Sequence, residues 1–346
     1  MYKIEENKIT FDNNYNDISF CDIIENHNII NEKKIDEIEF GTDFNQDISM
    51  LPSYIKEIQF NYWSEFNNGL DFLPNSLTHL ELGSDFNKQI DNLPSKLTHL
   101  KFSTASTFNM PLNRLPKSLT HLELGPSFNQ PFDNLPYKLT HLTLGNCFNQ
   151  PLDFLPEKLT YLQLGTYFNM PLNNLPYKLT HLIVGSQFNH PIDNLPEGLT
   201  HLGLGYDFSQ PLNNLPSKLN HLTLGDNFNH PLDFLPEGLT HLTLGYCFNQ
   251  TLENLPKNLT HLTFKCNSRF NKQIDNLPYK LTHLEFGYKF NQPLNNLPKG
   301  LTYLSLGDNF SQPLDFIPEG LTQLMLSHDY KYSVELVSKN CIIKRY

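Results

Sequence analysis

A 20-residue unit recurs almost without interruption, and this constrains the chain more than any other feature. Phe-Asn or Phe-Ser returns at Phe44, Phe66, Phe86, Phe108, Phe128, Phe148, Phe168, Phe188, Phe208, Phe228, Phe248, Phe270, Phe290 and Phe310, in steps of 20 with three of 22. A period this short predicts stacked coils rather than the two or three globular domains that 346 residues would otherwise suggest. The sixth unit is typical: Phe148-Asn-Gln-Pro-Leu-Asp-Phe-Leu-Pro-Glu-Lys-Leu-Thr-Tyr-Leu-Gln-Leu-Gly-Thr-Tyr167. Of the 24 prolines, fourteen occupy its ninth position and nine its fourth, so the repeat accounts for the composition.

Each unit has two halves. Leu139-Thr-His-Leu-Thr-Leu144 alternates apolar and polar residues, the period of a half-buried strand. It points Leu142 and Leu144 inward and His141 and Thr143 outward. The following Gly145 predicts a turn at positive φ. The other half carries two prolines five residues apart, which disfavour helix. It reads as extended or polyproline-like, with room for one 3₁₀ turn.

No unit buries its own apolar face, so neighbours must stack. In the fifth unit Phe128, Phe132, Leu135, Leu139, Leu142 and Leu144 are predicted to point inward. Parallel strands in register then build a sheet on the order of 65 Å long. The Asn at the second position is expected to be buried and to form a ladder. The three longer units add residues after the strand, at 60–66, 102–108 and 264–270, on one edge of the stack. The seventh position is Phe in every fourth unit: Phe72, Phe154, Phe234 and Phe316. The expected organisation is an N-terminal cap over 1–43 with a degenerate strand at Ile35–Gly41, repeats over 44–329, and a C-terminal cap over 330–346.

The motifs Phe148-Asn149, Pro151-Leu152, Leu155-Pro156 and Leu159-Thr160 resemble the FNIP (IP22) repeat of social amoebae and of giant DNA viruses of amoebae. More remotely, Leu-x-x-Leu-x-Leu resembles leucine-rich repeats. The resemblance implies a mainly β, leucine-rich-repeat-like solenoid of fourteen units. It places a parallel sheet on one concave face and an extended, polyproline or 3₁₀ outer face. FNIP proteins are often linked to an F-box, implying substrate adaptors of ubiquitin ligases. Residues 1–43 show no Leu-Pro start and no pair of amphipathic helices, so a binding scaffold is the supported part of that implication.

The net charge of −11 and the three arginines exclude a basic nucleic-acid stripe. No apolar run reaches the roughly 18 residues of a membrane span, and the N-terminus has no signal-peptide pattern. The five scattered cysteines predict free thiols in a reducing compartment. Cytoplasmic location is expected, in the host cytoplasm if the source is viral, and so is a monomer.

A column of histidines, among them His181, His201, His221 and His241, is the most conspicuous chemical feature. A linear row offers a metal two ligands well and a third poorly, so a stacked ladder bonded to Thr or water is preferred over a metal site. Repulsion between adjacent rings predicts lowered pKa values and stability that falls near pH 5 to 6. A catalytic constellation is unique in its chain, whereas every candidate here is repeated, so no enzyme and no cofactor are expected. Outward strand positions vary from unit to unit, neutral in the middle and charged toward the ends. His181, Ile183, His201, Tyr206, His221, Thr223, His241 and Tyr246 are the predicted partner-binding residues, an uncharged stripe rimmed by Tyr. The expected role is a scaffold binding a protein partner on the sheet face. The alternatives are a structural or assembly component, for example viral, or the recognition part of a ubiquitin ligase.

Overall fold

A computed structural model describes residues 2–11 and 35–346. The part of the N-terminal cap between Phe11 and Ile35, with Cys21, lies outside the described residues. The fold groups into two compact units, 1–168 with 174–179 and 169–173 with 180–346.

The first unit opens with β1 (Tyr2–Glu5) and β2 (Lys8–Phe11), an antiparallel hairpin turned at Glu6, whose φ is 49°. Strands β3 (Glu37–Phe40), β4 (Glu57–Phe60), β5 (His79–Leu82), β6 (His99–Phe102), β7 (His121–Glu123), β8 (His141–Thr143) and β9 (Tyr161–Gln163) follow. From β2 onward each pairs in parallel with the next, so Glu37, Glu57, His79, His99, His121, His141 and Tyr161 form one row. The second unit repeats the plan with β10 (His181–Ile183), β11 (His201–Gly203), β12 (His221–Thr223), β13 (His241–Leu244), β14 (His261–Phe264), β15 (His283–Glu285), β16 (Tyr303–Ser305), β17 (Gln323–Leu326) and β18 (Ile342–Arg345), all parallel. Each unit is a β-solenoid, and no helix of any kind occurs among the described residues.

Strands of three or four residues hold little by themselves, and the stacked core holds them. Phe188 lies 6.2 Å from Phe208, and Phe208 lies 6.3 Å from Phe228, with nearly parallel rings. Leu142 and Leu144 are buried as the alternation requires. In the fifth unit Phe128, Phe132, Leu139, Leu142 and Leu144 are buried, but Leu135 is only half-buried. Pro136 beside it is buried, and its carbonyl accepts the Leu139 N–H at 2.9 Å. That β-turn recurs in every repeat and gives the outer half an extended path with isolated turns, not a 3₁₀ helix.

The Asn ladder forms, but at a partly exposed edge. The Asn109 side-chain carbonyl accepts the Asn129 N–H at 2.9 Å, and Asn129 does the same for Asn149 at 2.9 Å. The series runs on from Asn169 to Asn189 at 3.1 Å and from Asn189 to Ser209 at 3.0 Å. The amide satisfies a backbone donor of the next coil, which needs no complete burial.

The glycine after each strand corrects the sequence reading. No described glycine has positive φ. The requirement is close approach: a Cβ on Gly145 would lie 2.0 Å from the Gly125 carbonyl oxygen, and one on Gly225 1.6 Å from that of Gly205. In the longer units the glycine is lost, and a serine hydroxyl takes over the bond its carbonyl makes elsewhere, as from the Phe148 N–H to Gly145 at 3.2 Å. Ser64, Ser106 and Ser268 are buried, and each hydroxyl accepts the N–H of the Phe two residues on, at 3.1 to 3.2 Å.

The repeat also continues past Ser327, where its pattern breaks. Tyr330 takes the place of Phe, its ring 5.9 Å from Phe310 and its hydroxyl donating to the Gln312 carbonyl at 2.8 Å. Burial pushes that phenol up to about 12. β18 then extends the sheet from β17.

Candidate functional site: the sheet face

Two outward positions per strand make the sheet face. In the second unit the first position carries His181, His201, His221, His241, His261 and His283, paired residue to residue. Adjacent rings stack with centroids 4.0 to 4.2 Å apart and planes 10 to 14° apart. The first unit holds a matching row at His79, His99, His121 and His141. The Thr before each His sets its ring: Thr240 Oγ1 lies 2.9 Å from His241 Nδ1, and the same hydroxyl reaches the Asn220 carbonyl at 3.0 Å. At His221 the partner is Asn220 Oδ1, 2.6 Å away.

This stacking bears on metal binding. Parallel rings about 4 Å apart direct their nitrogen lone pairs side by side, whereas a metal held at roughly 2.0–2.1 Å needs them to converge. Among the described residues no group of three or more His, Cys, Asp or Glu is placed to hold a metal ion. Cys147, Cys247, Cys266 and Cys341 are free thiols.

Burial, and then the neighbouring rings, lower the pKa of His121, His201, His221 and His241. For His99 and His261 the same causes lower it to about 4. Burial outranks the ring repulsion expected from sequence, because each imidazole lies between two others. Unfolded imidazoles titrate near 6.5. Between the two values the unfolded chain binds more protons, so stability is full above about pH 6.5 and falls as pH drops toward 4. The melting temperature should therefore fall between pH 7 and pH 4.5. Replacing His201, His221, His241 and His261 by Gln should flatten that slope. An equal slope in parent and variant would contradict the coupling.

The predicted stripe maps onto three lines. His181, His201, His221 and His241 form the first, and Ile183 and Thr223 belong to the second, with Gly203 between them in register. Ile183 overhangs Gly203, where an added Cβ would stand 3.5 Å from its side chain. Tyr206 and Tyr246 occupy the loops after β11 and β13. Tyr206 is 51% exposed. Tyr246 lies under the Arg269 guanidinium, 4.4 Å from its ring centroid. Nearby, Lys265 pairs with Asp226 at 2.6 Å. Sequence reasoning missed this charged rim because Lys265 and Arg269 belong to a longer unit, whose loop departs from the repeat.

It also missed a hollow in the face of the first unit. A groove of about 430 Å³ runs there from Lys8 and Glu37 to Tyr161. Glu37, Glu57, Glu81 and Glu123 line it together with Lys8 and Lys101. Lys101 pairs with Glu81 at 2.9 Å, and Lys8 with Glu39 at 2.6 Å. Glu37 accepts from the Asn7 amide, and Glu57 lies 3.4 Å from His79 Nδ1. Burial raises the Glu123 pKa, offset in part by Lys101 and reinforced by Glu81. Tyr161 donates to Gln163 at 2.8 Å, and burial and then Glu123 raise its phenol pKa.

The FNIP Repeat family profile matches residues 66–104, 108–147, 148–187, 188–214, 208–247, 248–289 and 290–332. Among solved structures the chain is similar to CroV588, described as a novel circular LRR protein. The two are 32% identical over 99% of this chain and 70% of that one, with a TM-score of 0.61. YopM from Yersinia enterocolitica WA-314 shares the fold at 21% identity, over 84% of this chain and 73% of that one, with a TM-score of 0.50. No curated protein sequence matches significantly. No helix among the described residues is long and apolar enough to cross a membrane.

Proposed function

This chain belongs to the FNIP-repeat family, and from that premise we propose that it is a non-enzymatic scaffold whose sheet face binds another protein. The observation that carries the reading is a division of labour within the repeat. Residues that hardly change have structural tasks: Pro for the turn, Asn for the coil-to-coil bond, Gly for close approach. The outward strand residues have no such task beyond the His row and differ between units, as recognition of a non-repetitive partner requires.

The stripe of His181, Ile183, His201, Tyr206, His221, Thr223, His241 and Tyr246 is the contact surface in this reading. The resemblance of the repeat to those of giant DNA viruses of amoebae supports a host protein as partner, met in the host cytoplasm. Aromatic anchors in such sites contribute about 2 kcal/mol or more. Tyr206→Ala with Tyr246→Ala should weaken a partner captured from the native cell at least about tenfold, with unchanged melting. Glu157→Ala with Asn174→Ala, on the outer half, should leave it unaffected. Capture of further copies of this chain alone would contradict the reading and favour an assembly component.

A further inference from the structure

We propose that the groove on the sheet face of the first unit binds an extended peptide segment carrying Lys or Arg side chains. It is separate from the stripe above and does not rest on it.

Charge complementarity selects the occupant. Both lysines of the groove are already paired, Lys101 with Glu81 and Lys8 with Glu39. Among the described residues Glu37, Glu57 and Glu123 have no lysine partner within ion-pair distance. Glu123 accepts no hydrogen bond among the described residues, and it is half-buried. A carboxylate in that position gains more from an incoming cation than a solvated one does. Between these carboxylates, burial and the neighbouring rings lower the pKa of His99 to about 4 and lower that of His121 as well, which favours neutral rings that do not oppose the cation.

Shape selects an extended segment over a small cation. Glu37 and Tyr161 stand on β3 and β9, six strand steps apart, or about 29 Å at the usual strand spacing. That is the length of roughly nine residues of extended peptide. Glu57 and Glu123 stand three strands apart, about 14 Å along the stack, with Glu123 two residues further along its strand, within reach of two long side chains four residues apart on one side of such a peptide. The carboxylates are spread along the groove and do not converge on one point, so a single metal ion fits poorly.

The test uses the full chain and a fluorescein-labelled peptide of about nine residues, with Arg at two positions four apart and Ser or Gly elsewhere. Fluorescence anisotropy should report saturable binding that weakens with added salt. Glu57→Gln with Glu123→Gln should weaken it at least about tenfold. Asp133→Asn with Asp153→Asn, which removes the same charge from the outer half, should change it less than about twofold. Tyr206→Ala with Tyr246→Ala should leave it unchanged, so this proposal and the stripe fail separately. The proposal is overturned by no binding, by equal binding of a peptide with Asp in place of Arg, by equal loss in both carboxylate variants, or by loss in the tyrosine variant.

Discussion

Gly225→Ala should destabilise the second unit by about 3 kcal/mol or more, in the range of the most damaging single substitutions. An alanine Cβ there would lie 1.6 Å from the Gly205 carbonyl oxygen and 2.5 Å from its carbonyl carbon. These are backbone atoms of the preceding coil and cannot rotate away. Relief requires the two coils to separate, which also stretches the sheet bonds and the phenylalanine stack. The control is two residues before the neighbouring glycine of that series. Gly203→Ala places its Cβ 3.5 Å from the flexible Ile183 side chain, an ordinary contact, and should change stability by less than about 0.5 kcal/mol. Thermal and urea denaturation of both variants decide the matter. Equal stability would show that the coils are not held by this approach.

Phe208→Ala should cost about 3 to 5 kcal/mol. Its ring is fully buried and stacks between Phe188 and Phe228. A coil cannot collapse into the cavity without breaking register with both neighbours. Phe234→Ala removes the same side chain from the outer half, where it is 68% exposed, and should be within about 0.5 kcal/mol of the parent. Denaturation midpoints that fall equally in the two variants would contradict the assignment of inner and outer phenylalanines.

The fold was legible because its period is written in the chain. Alternation in Leu139–Leu144 gave the strand and its faces, and recurrence gave the parallel register of His181, His201 and His221. What escaped was whatever depends on the neighbouring coil rather than on the unit. Gly145 looked like a turn residue, but its constraint is the Gly125 carbonyl of the coil before it. Leu135 looked like core by hydropathy, but it is only half-buried, while Leu73 and Leu93 at the same position of other coils are buried, so the neighbouring coils decide. Tyr330 hid a further coil because it replaces the Phe that marks each unit.

The candidate site was legible in part for the same reason. The His row and the variable second position could be read from spacing. The cover that Arg269 places on Tyr246 could not, since it comes from a loop outside the repeat. The groove of the first unit escaped as well. Its charge depends on which lysine pairs with which carboxylate, and Lys101 with Glu81 and Lys8 with Glu39 are pairings between strands.

The claim that the sheet face carries partner binding is tested most directly by site-specific photo-crosslinking in the native cell. A photoreactive phenylalanine analogue is placed at Thr223, exposed on the sheet face, or at Asn214, exposed on the outer half of the same unit. The account predicts one discrete crosslinked protein from position 223, lost when Tyr206→Ala and Tyr246→Ala are added, and none from position 214. A discrete partner crosslinked from position 214, with none from 223, would contradict it.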